Sequence, residues 1–329
     1  MAEEMQKITG KLQEILQDEG SRRESYRERI KRFPNVMEES FEKTKEVWLS
    51  LYKKVENSLN DDILFGLEDE IRQKNVLVYI LWQMNDKFSA EKLANEVREK
   101  KPDNLVALTN LAFIHLYDGN ISEVRNLLDN ISNLEERENF SLIEAEGKRN
   151  VAYCLATISF EDHERAVELY KESLNVCPDD YLCMFSISLL QYRCLRKTMD
   201  KEKLRENIKE SIQYLEKIRC AFPHHIDTAL MGRTLALIEA DGKNDEEEKD
   251  QLRRTGMDKF VLALKSAVEF LPSNKDLIEI WEIKEIILDL YEYGNGNTEY
   301  KKFVLEFIHS IEDLANDKAF QNILHKSEL

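Results

Sequence analysis

The sequence is poor in glycine and proline, with 10 and 5 of these residues in a chain of 329. Because glycine and proline mark turns, their scarcity argues against a fold with many tight turns and favours long helices. Cysteine is scarce too, and the five cysteines are an odd set without a CxxC pair. We therefore expect free thiols in a reducing compartment instead of a disulfide framework.

Long hydrophobic runs are also missing. The longest apolar stretch, Val76 to Trp82, is far too short to cross a bilayer, and the acidic start MAEEMQKITG has no signal-peptide core. We expect a cytoplasmic protein with no membrane partner. The formal charge of −17 disfavours nonspecific binding to nucleic acid, although it leaves room for a local basic groove.

Motifs for catalysis and cofactors are absent as well. The sequence has no GxxxxGKS/T, GxGxxG or HExxH motif, and its six histidines lack zinc-ligand spacing to cysteines or carboxylates. Paired carboxylates occur only within charged helical runs, so none stands out as an acid/base pair. We predict no catalytic residue, no cofactor, no metal site and no enzymatic activity.

The sequence does contain a repeat of helix pairs. Residues 71–131 divide into two halves, each typical of a helix, a tight turn and a second helix. At a shift of 34 residues, small or apolar residues coincide, as Leu77 does with Leu111, Val78 with Ala112, Ala90 with Val124, Ala94 with Leu128, and Val97 with Ile131. In the turn, Asn85 coincides with Gly119. This period is typical of the tetratricopeptide repeat (TPR), whose helix pairs stack on one another.

The period predicts an all-α fold, a right-handed TPR-like helical solenoid of about six to eight antiparallel helix pairs. Three regions are expected, an N-terminal helical region at 1–60, a solenoid at 61–272 and C-terminal capping helices at 273–329. Longer links than the repeat requires are expected near 133–144, 196–203 and 239–254.

Two helix positions follow from this register. Pro34 is placed as a repeat boundary, since proline cannot continue a helix, and it is expected to open a helix from Val36 to Leu59. The first helix of the third clear pair is expected from Ala145 to Phe160, after the link at 133–144. The first helices of successive pairs should line a concave binding surface.

One interpretation of that surface is a carboxylate clamp for peptide C-termini. Such a clamp is built from Lys, Asn and Arg side chains on three successive first helices. Asn110 matches the second of these helices and Lys148 the third, while the positions on the first helix fall on Asn75 and Tyr79. The candidate peptide-binding residues are therefore Asn75, Asn110 and Lys148.

A more specific interpretation comes from the order of motifs that follows the repeat pair. Glu146 and Gly147 lie in one predicted helix, Glu164, Arg165 and Ala166 in the next, Pro178 follows, and Phe185 to Ser188 open another helix. Over roughly residues 60–230, this order resembles the interferon-induced proteins with tetratricopeptide repeats (the IFIT family). That family has an EEG-containing helix, an ERA helix ending near a proline, and a YAIS-like helix.

The resemblance implies a protein of the innate antiviral response that binds protein partners or holds RNA 5′ ends in a basic tunnel. The family's phosphate-contacting lysine and arginine fall on Thr157 and Gln191 in this sequence. A phosphate site needs cations, and Arg149, Arg193 and Arg196 are the candidates for a rearranged RNA- or anion-binding patch.

Two functions therefore stay open at this point. The first is a non-catalytic TPR scaffold that binds a protein or peptide partner on its concave surface. The alternative is an RNA-binding effector that recognises RNA ends or single strands through a local basic groove. A homo-oligomer is compatible with either. A contiguous basic groove would favour RNA, whereas cations interleaved with glutamates would favour a protein partner.

Overall fold

The computed structural model describes residues 20–37, 41–61, 66–194, 201–222, 226–241, 243, 245–270, 302, 304–308 and 321. All regular structure within these ranges is helical, which confirms the predicted all-α class. The chain divides into two compact units, Met1–Thr198 and Met199–Leu329. The predicted capping region at 273–329 lies mostly outside the described residues.

Unit 1 is a stack of helix pairs. Its helices are α1 (20–31 in its described part), α2 (Lys45–Asp61), α3 (Gly66–Gln83), α4 (Lys87–Lys100), α5 (Leu105–Tyr117), α6 (Ile121–Glu135), α7 (Phe140–Ile158), α8 (His163–Val176) and α9 (Tyr181–Cys194). Helix α3 pairs with α4, α5 with α6, and α7 with α8. The first helices also touch one another, and α7 packs directly against both α3 and α5.

Unit 2 contains α10 (Lys201–Ala221), α11 (Ile226–Asp241) and α12 (Glu246–Phe270). Helix α11 packs against both of its neighbours. The acidic run predicted as a link near 239–254 includes the end of α11 and the first turns of α12. Glu246, Glu247 and Glu248 are exposed in the first turn of α12, where the partial positive charge of a helix N-terminus favours carboxylates.

The period of 34 residues is visible in the backbone of the turns. Asn85 and Gly119, which coincide in the sequence register, both adopt positive φ angles, 62° and 78°. The side chain of Asp86 then caps α4 by accepting a hydrogen bond from the amide of Ser89 at 3.1 Å. The side chain of Asn120 caps α6 in the same way, from the amide of Glu123 at 3.4 Å.

The predicted repeat positions form the core of unit 1. The ten small or apolar residues compared in the sequence register are all buried, namely Leu77, Val78, Ala90, Ala94, Val97, Leu111, Ala112, Val124, Leu128 and Ile131. Burial of such apolar surface stabilises the stack by roughly 25 cal/mol per Å² removed from water. A single pair would leave one of its faces exposed, so each pair packs on the next.

Two helix starts differ from the sequence prediction. Helix α2 starts at Lys45 instead of Val36, because the side-chain amide of Asn35 donates to the carbonyl oxygens of Ile30 (3.3 Å) and Phe33 (2.9 Å) and holds a bend. Helix α7 starts at Phe140, earlier than predicted, and its first turns bury Ile143. The link between α6 and α7 is correspondingly short.

Candidate functional site

The described residues from the end of α1 to the first turn of α2 cross one face of α3, α5 and α7. We call these residues, 30–37 and 41–48, the crossing segment, and the face beneath them the inner face. The hydroxyl of Thr109 on α5 donates to the carbonyl oxygen of Pro34 at 3.1 Å. On α7, Gly147 leaves room for the same proline, because a Cβ there would lie 3.1 Å from Pro34 Cγ.

Aromatic contacts hold the other end of the crossing segment. The rings of Phe41 and Trp48 meet the ring of Tyr79 on α3 edge to face, with centroids 6.0 and 5.9 Å apart. Tyr79 is fully buried, and its hydroxyl accepts a hydrogen bond from the Gln83 amide at 2.9 Å. The crossing segment therefore covers the inner face along α3, α5 and α7.

A buried arginine lies where α3 meets α7. The guanidinium carbon of Arg72 lies 4.0 Å from the centroid of the Tyr153 ring, and only 8% of Arg72 is exposed. Burial raises the pKa of the Tyr170 phenol on α8 above its ordinary value, and the positive charge of Arg72 opposes that rise. Arg72 therefore lies close enough to the Tyr170 phenol for its charge to act on that group.

A chain of hydrogen bonds connects α3, α5 and α7. The amide of Asn75 on α3 donates to Oδ1 of Asn104 at 3.2 Å, and that oxygen caps α5 by accepting from the amide of Ala107. The Asn104 amide in turn donates to Oε1 of Glu146 on α7 at 3.3 Å. Glu146 also forms an ion pair with Lys101 at 2.5 Å. Asn75 is therefore part of the packing between helices.

The candidate peptide-binding residues do not form one exposed patch. Asn75 and Asn110 are buried, and neither side-chain polar atom of Asn110 has a hydrogen-bond partner in the described part of the chain. Lys148 lies between Glu172 (2.9 Å) and Glu144 (3.4 Å), and the hydrogen bond to Glu172 raises its pKa. The peptide-binding role of these residues stays a prediction.

The candidate anion-binding arginines are not brought together either. Arg149 forms an ion pair with Asp180, in which the side chains are 13% and 8% exposed. Asp180 also accepts a hydrogen bond from the amide of Cys183 at 3.0 Å, so it is held at the start of α9. Arg193 is exposed in the last turn of α9, and Arg196 lies outside the described residues.

The two positions that the family resemblance assigned to cations are polar and uncharged. Thr157 on α7 donates its hydroxyl hydrogen bond to the carbonyl oxygen of Tyr153 at 2.8 Å. Gln191 on α9 is buried. A cation does reach Tyr153, the residue that Thr157 bonds to, because Arg72 of α3 packs on its ring.

Arg72 was not among the candidate site residues predicted from the sequence, although the repeat register contains a signal for it. In the repeat register, Arg72 coincides with Val106, which is fully buried on α5. A charged residue at a position that is apolar in the next repeat is unusual, because burying a charge is unfavourable without polar compensation. No corresponding signal marks Tyr153, since its contact with Arg72 joins helices that are distant in sequence.

Unit 2 has a small cavity of its own. It has a volume of about 130 Å³ and is lined by residues of α10, α11 and α12, including Leu215, Ala236 and Leu252. At its edge, Glu216 binds Arg219 at 2.6 Å and Lys259 at 2.9 Å. The hydrogen bond from Arg219 is the main cause that lowers the pKa of Glu216 to about 2.

Neither a membrane-spanning helix nor a metal cluster occurs within the described residues. None of the described helices combines the length and apolar character needed to span a membrane. Across those same ranges, histidines, cysteines and carboxylates form no group of three or more that could hold a metal ion.

Comparison with known proteins gives a match in structure only. No protein-family model and no curated protein matches the sequence. A human IFIT1 dimer with PPP-AAAA matches with a TM-score of 0.51 and 15% identity, covering 91% of this chain and 65% of that chain. The chain has an IFIT-like TPR fold.

A second solved structure agrees. An IFIT1 monomeric mutant with m7Gppp-AAAA matches with a TM-score of 0.52 and 14% identity, covering 87% of this chain and 69% of that chain. Identities this low establish the IFIT-like fold alone. The chain spans 65% of the IFIT1 chain in the dimer.

Proposed function

We propose that this IFIT-like chain is a non-catalytic RNA-binding protein that accepts the 5′ end of single-stranded RNA where α3 meets α7 in unit 1. The observation that carries the proposal is the buried guanidinium of Arg72 on the ring of Tyr153, at 4.0 Å. The fold supports it as well, because the two IFIT1 structures that match contain PPP-AAAA and m7Gppp-AAAA.

The chemistry of this pair suits a phosphorylated nucleotide. A guanidinium stays charged and presents five donors in a planar fork that matches phosphate oxygens. In a site shielded from water, its attraction to a phosphate is stronger than at the protein surface. An aromatic ring beside it can stack on a base, and such stacking contributes about 1–3 kcal/mol per base. Arg72 and Tyr153 would therefore divide phosphate and base recognition between them.

In this proposal, the arginines predicted from the sequence would make secondary contacts with the RNA. Arg193 offers an exposed cation on α9, the helix that packs against α7. Arg149 is already paired with Asp180, so it would contact RNA only after release from that carboxylate. Arg196 follows Arg193 closely in sequence and remains a proposed contact on that basis.

The experiment is direct binding of the full chain to one short RNA that carries a 5′ triphosphate, a cap or a 5′ hydroxyl, over a series of salt concentrations. The proposal expects the triphosphate RNA and the capped RNA, which both carry phosphates at the 5′ end, to bind more tightly than the 5′-hydroxyl RNA. It also expects log affinity to fall with log salt by a slope of about −0.7 per neutralised phosphate. Equal, weak binding of all three RNAs would overturn the proposal.

A second candidate is a scaffold for a protein partner. Cations near the inner face are interleaved with carboxylates, as in the pairs of Lys101 with Glu146 and Lys148 with Glu172. With a formal charge of −17, the chain would favour a basic partner. Lys148 is our candidate contact among the predicted peptide-binding residues. Cross-linking to cellular proteins should then give cross-links clustered on basic segments, and scattered cross-links would argue against this candidate.

We further propose that the chain is a cytoplasmic protein of the innate antiviral response. We also propose a homodimer, because one matching IFIT1 structure is a dimer. Light scattering on the purified chain should report twice the monomer mass. A monomer at all concentrations would remove the dimer from the proposal without affecting RNA binding.

A further inference from the structure

Three aromatic residues, Trp82, Phe113 and Tyr117, meet near the turns of the α3–α4 and α5–α6 pairs, away from Arg72. We call this cluster the aromatic corner. Trp82 lies near the end of α3, and Tyr117 is the last residue of α5. Their rings meet edge to face, with centroids 5.2 Å apart and planes at 87°. Phe113, one turn before Tyr117 on α5, also meets Trp82 edge to face, with centroids 5.7 Å apart and planes at 82°. The tryptophan is thus held in place while 63% of Tyr117 stays exposed.

The corner already holds a cation from the chain itself. The ammonium of Lys87, the first residue of α4, lies 4.0 Å from the centroid of the Tyr117 ring and 5.8 Å from that of Trp82. The negative faces of aromatic rings attract cations at these distances. Asp118 lies 3.5 Å from the same ammonium. The geometry is therefore that of a formed cation site whose present occupant is Lys87.

The surroundings of the corner are acidic. Asp86 caps α4 immediately before Lys87, and Asp118 follows Tyr117. Glu91, one turn along α4, faces His115 at 3.7 Å. Carboxylates at this end of the two helix pairs disfavour a phosphate backbone and favour a positively charged ligand.

An exposed phenylalanine adjoins the corner. Phe88 follows Lys87 at the start of α4, and 80% of it is exposed, more than any other large hydrophobic residue in the described ranges. Exposed aromatic side chains are enriched in protein interfaces, where they pack into apolar contacts of a partner. The aromatic corner and Phe88 together offer a cation site beside an apolar contact.

We propose that the corner of Trp82 and Tyr117 binds a lysine or arginine side chain of a basic peptide segment in a partner protein, which displaces Lys87. Phe88 packs against an apolar residue next to that cation. The ion pair that Lys87 leaves is partly exposed, and such pairs contribute little stability, so the exchange is easy. The proposal gives the second candidate function a binding surface. It rests on that function only in assuming that the partner is a protein.

The test uses a defined probe. A fluorescent nonapeptide of glycine and serine residues, with one phenylalanine beside a central trimethyllysine as its only cation, is titrated with the full chain, and its anisotropy is measured. A matched peptide carries norleucine in place of the trimethyllysine. The wild-type chain should bind the first peptide more tightly than the second, since a quaternary ammonium suits an aromatic cage.

Three variants distinguish binding at the aromatic corner from general electrostatic attraction between the peptide and the chain. Lys87→Ala removes the internal competitor and should tighten binding about threefold to tenfold. Lys92→Ala removes an exposed lysine on the same helix and should leave binding nearly unchanged. Tyr117→Ala should abolish the preference for trimethyllysine, and the exposure of Tyr117 makes this change tolerable for folding.

Three results would overturn the site. They are equal binding of both peptides, unchanged binding in Tyr117→Ala, and a Lys92→Ala effect as large as that of Lys87→Ala. Displacement of the peptide by a 5′-hydroxyl RNA would also count against a protein partner. Because the probe is synthetic, its binding supports the site independently of whether a cellular partner is found. A failure of the site is therefore distinguishable from a failure of the protein-binding function.

Discussion

Asn85 and Gly119 occupy the same place in successive turns, 34 positions apart, and both have positive φ angles. Residues with a Cβ rarely adopt this conformation, and asparagine tolerates it better than most. Each residue is followed by an Asp or Asn that caps the next helix. The repeat is thus expressed in backbone geometry as well as in the pattern of buried side chains.

Gly119→Ala should destabilise unit 1. A Cβ at φ 78° adds about 1–2 kcal/mol of steric strain. The new methyl would also lie 3.0 Å from Nη2 of Arg23, although that flexible side chain can move. Urea denaturation should show a lower midpoint with an unchanged m-value. Gly20→Ala, at an open helical position, is the control and should be neutral or slightly stabilising. Equal midpoints for Gly119→Ala and the wild type would contradict the turn geometry.

Gly147→Ala tests the crossing segment. The added Cβ would lie 3.1 and 3.2 Å from Pro34 and 3.6 Å from Leu105, so the crossing segment would have to shift. Overpacking of this kind typically costs 1–3 kcal/mol, about enough to outweigh the gain from replacing glycine in a helix. Gly232→Ala, in α11 with open space at its Cβ, should instead stabilise the chain by about 1 kcal/mol.

A double variant makes this test specific. Pro34→Gly removes the atoms that the new methyl would meet, so Gly147→Ala should be less harmful in that background. Chemical denaturation of the four chains gives the interaction free energy. An additive result, or a Gly147→Ala chain as stable as Gly232→Ala, would mean that Pro34 does not pack on α7.

The repeat was predictable because its signal is local. Ala94 and Leu128 coincide at a fixed spacing, and tight packing between paired helices requires small or apolar side chains there. The position of the crossing segment over the inner face was not predictable, because the contact of Pro34 with Gly147 joins residues far apart in sequence. For the same reason the sequence did not predict that Asn75 is buried and donates a hydrogen bond to Asn104.

The pairing of Glu216 makes the stability of unit 2 depend on pH. Its pKa is lowered from 4.5 to about 2 by Arg219 first and then by Lys259. A lowered folded-state pKa means that this carboxylate stabilises the fold above pH 4.5 and that the contribution is lost as pH falls towards about 2. Glu216→Gln should therefore melt below the wild type at pH 7, and the difference should shrink as pH falls below 4.5.

The matched control for this pH dependence is Glu206→Gln, which changes an exposed glutamate on the same helix. Its melting temperature should follow that of the wild type across the whole series. A Glu216→Gln difference that stays constant from pH 7 to pH 3 would show that the ion pairs with Arg219 and Lys259 do not form in solution.

The central claim is that Arg72 holds the 5′ end of an RNA. The most direct test is the ratio of affinities for 5′-triphosphate and 5′-hydroxyl RNA, compared between wild type, Arg72→Met, Tyr153→Ala and the exposed control Arg125→Met. A charge-assisted hydrogen bond contributes about 1.5–3 kcal/mol, so the wild type and Arg125→Met should prefer the triphosphate about 10- to 100-fold. A folded Arg72→Met chain, checked by circular dichroism, should lose that preference, and Tyr153→Ala should weaken binding of both RNAs. A preference that survives in Arg72→Met, or its absence in the wild type, would contradict the claim.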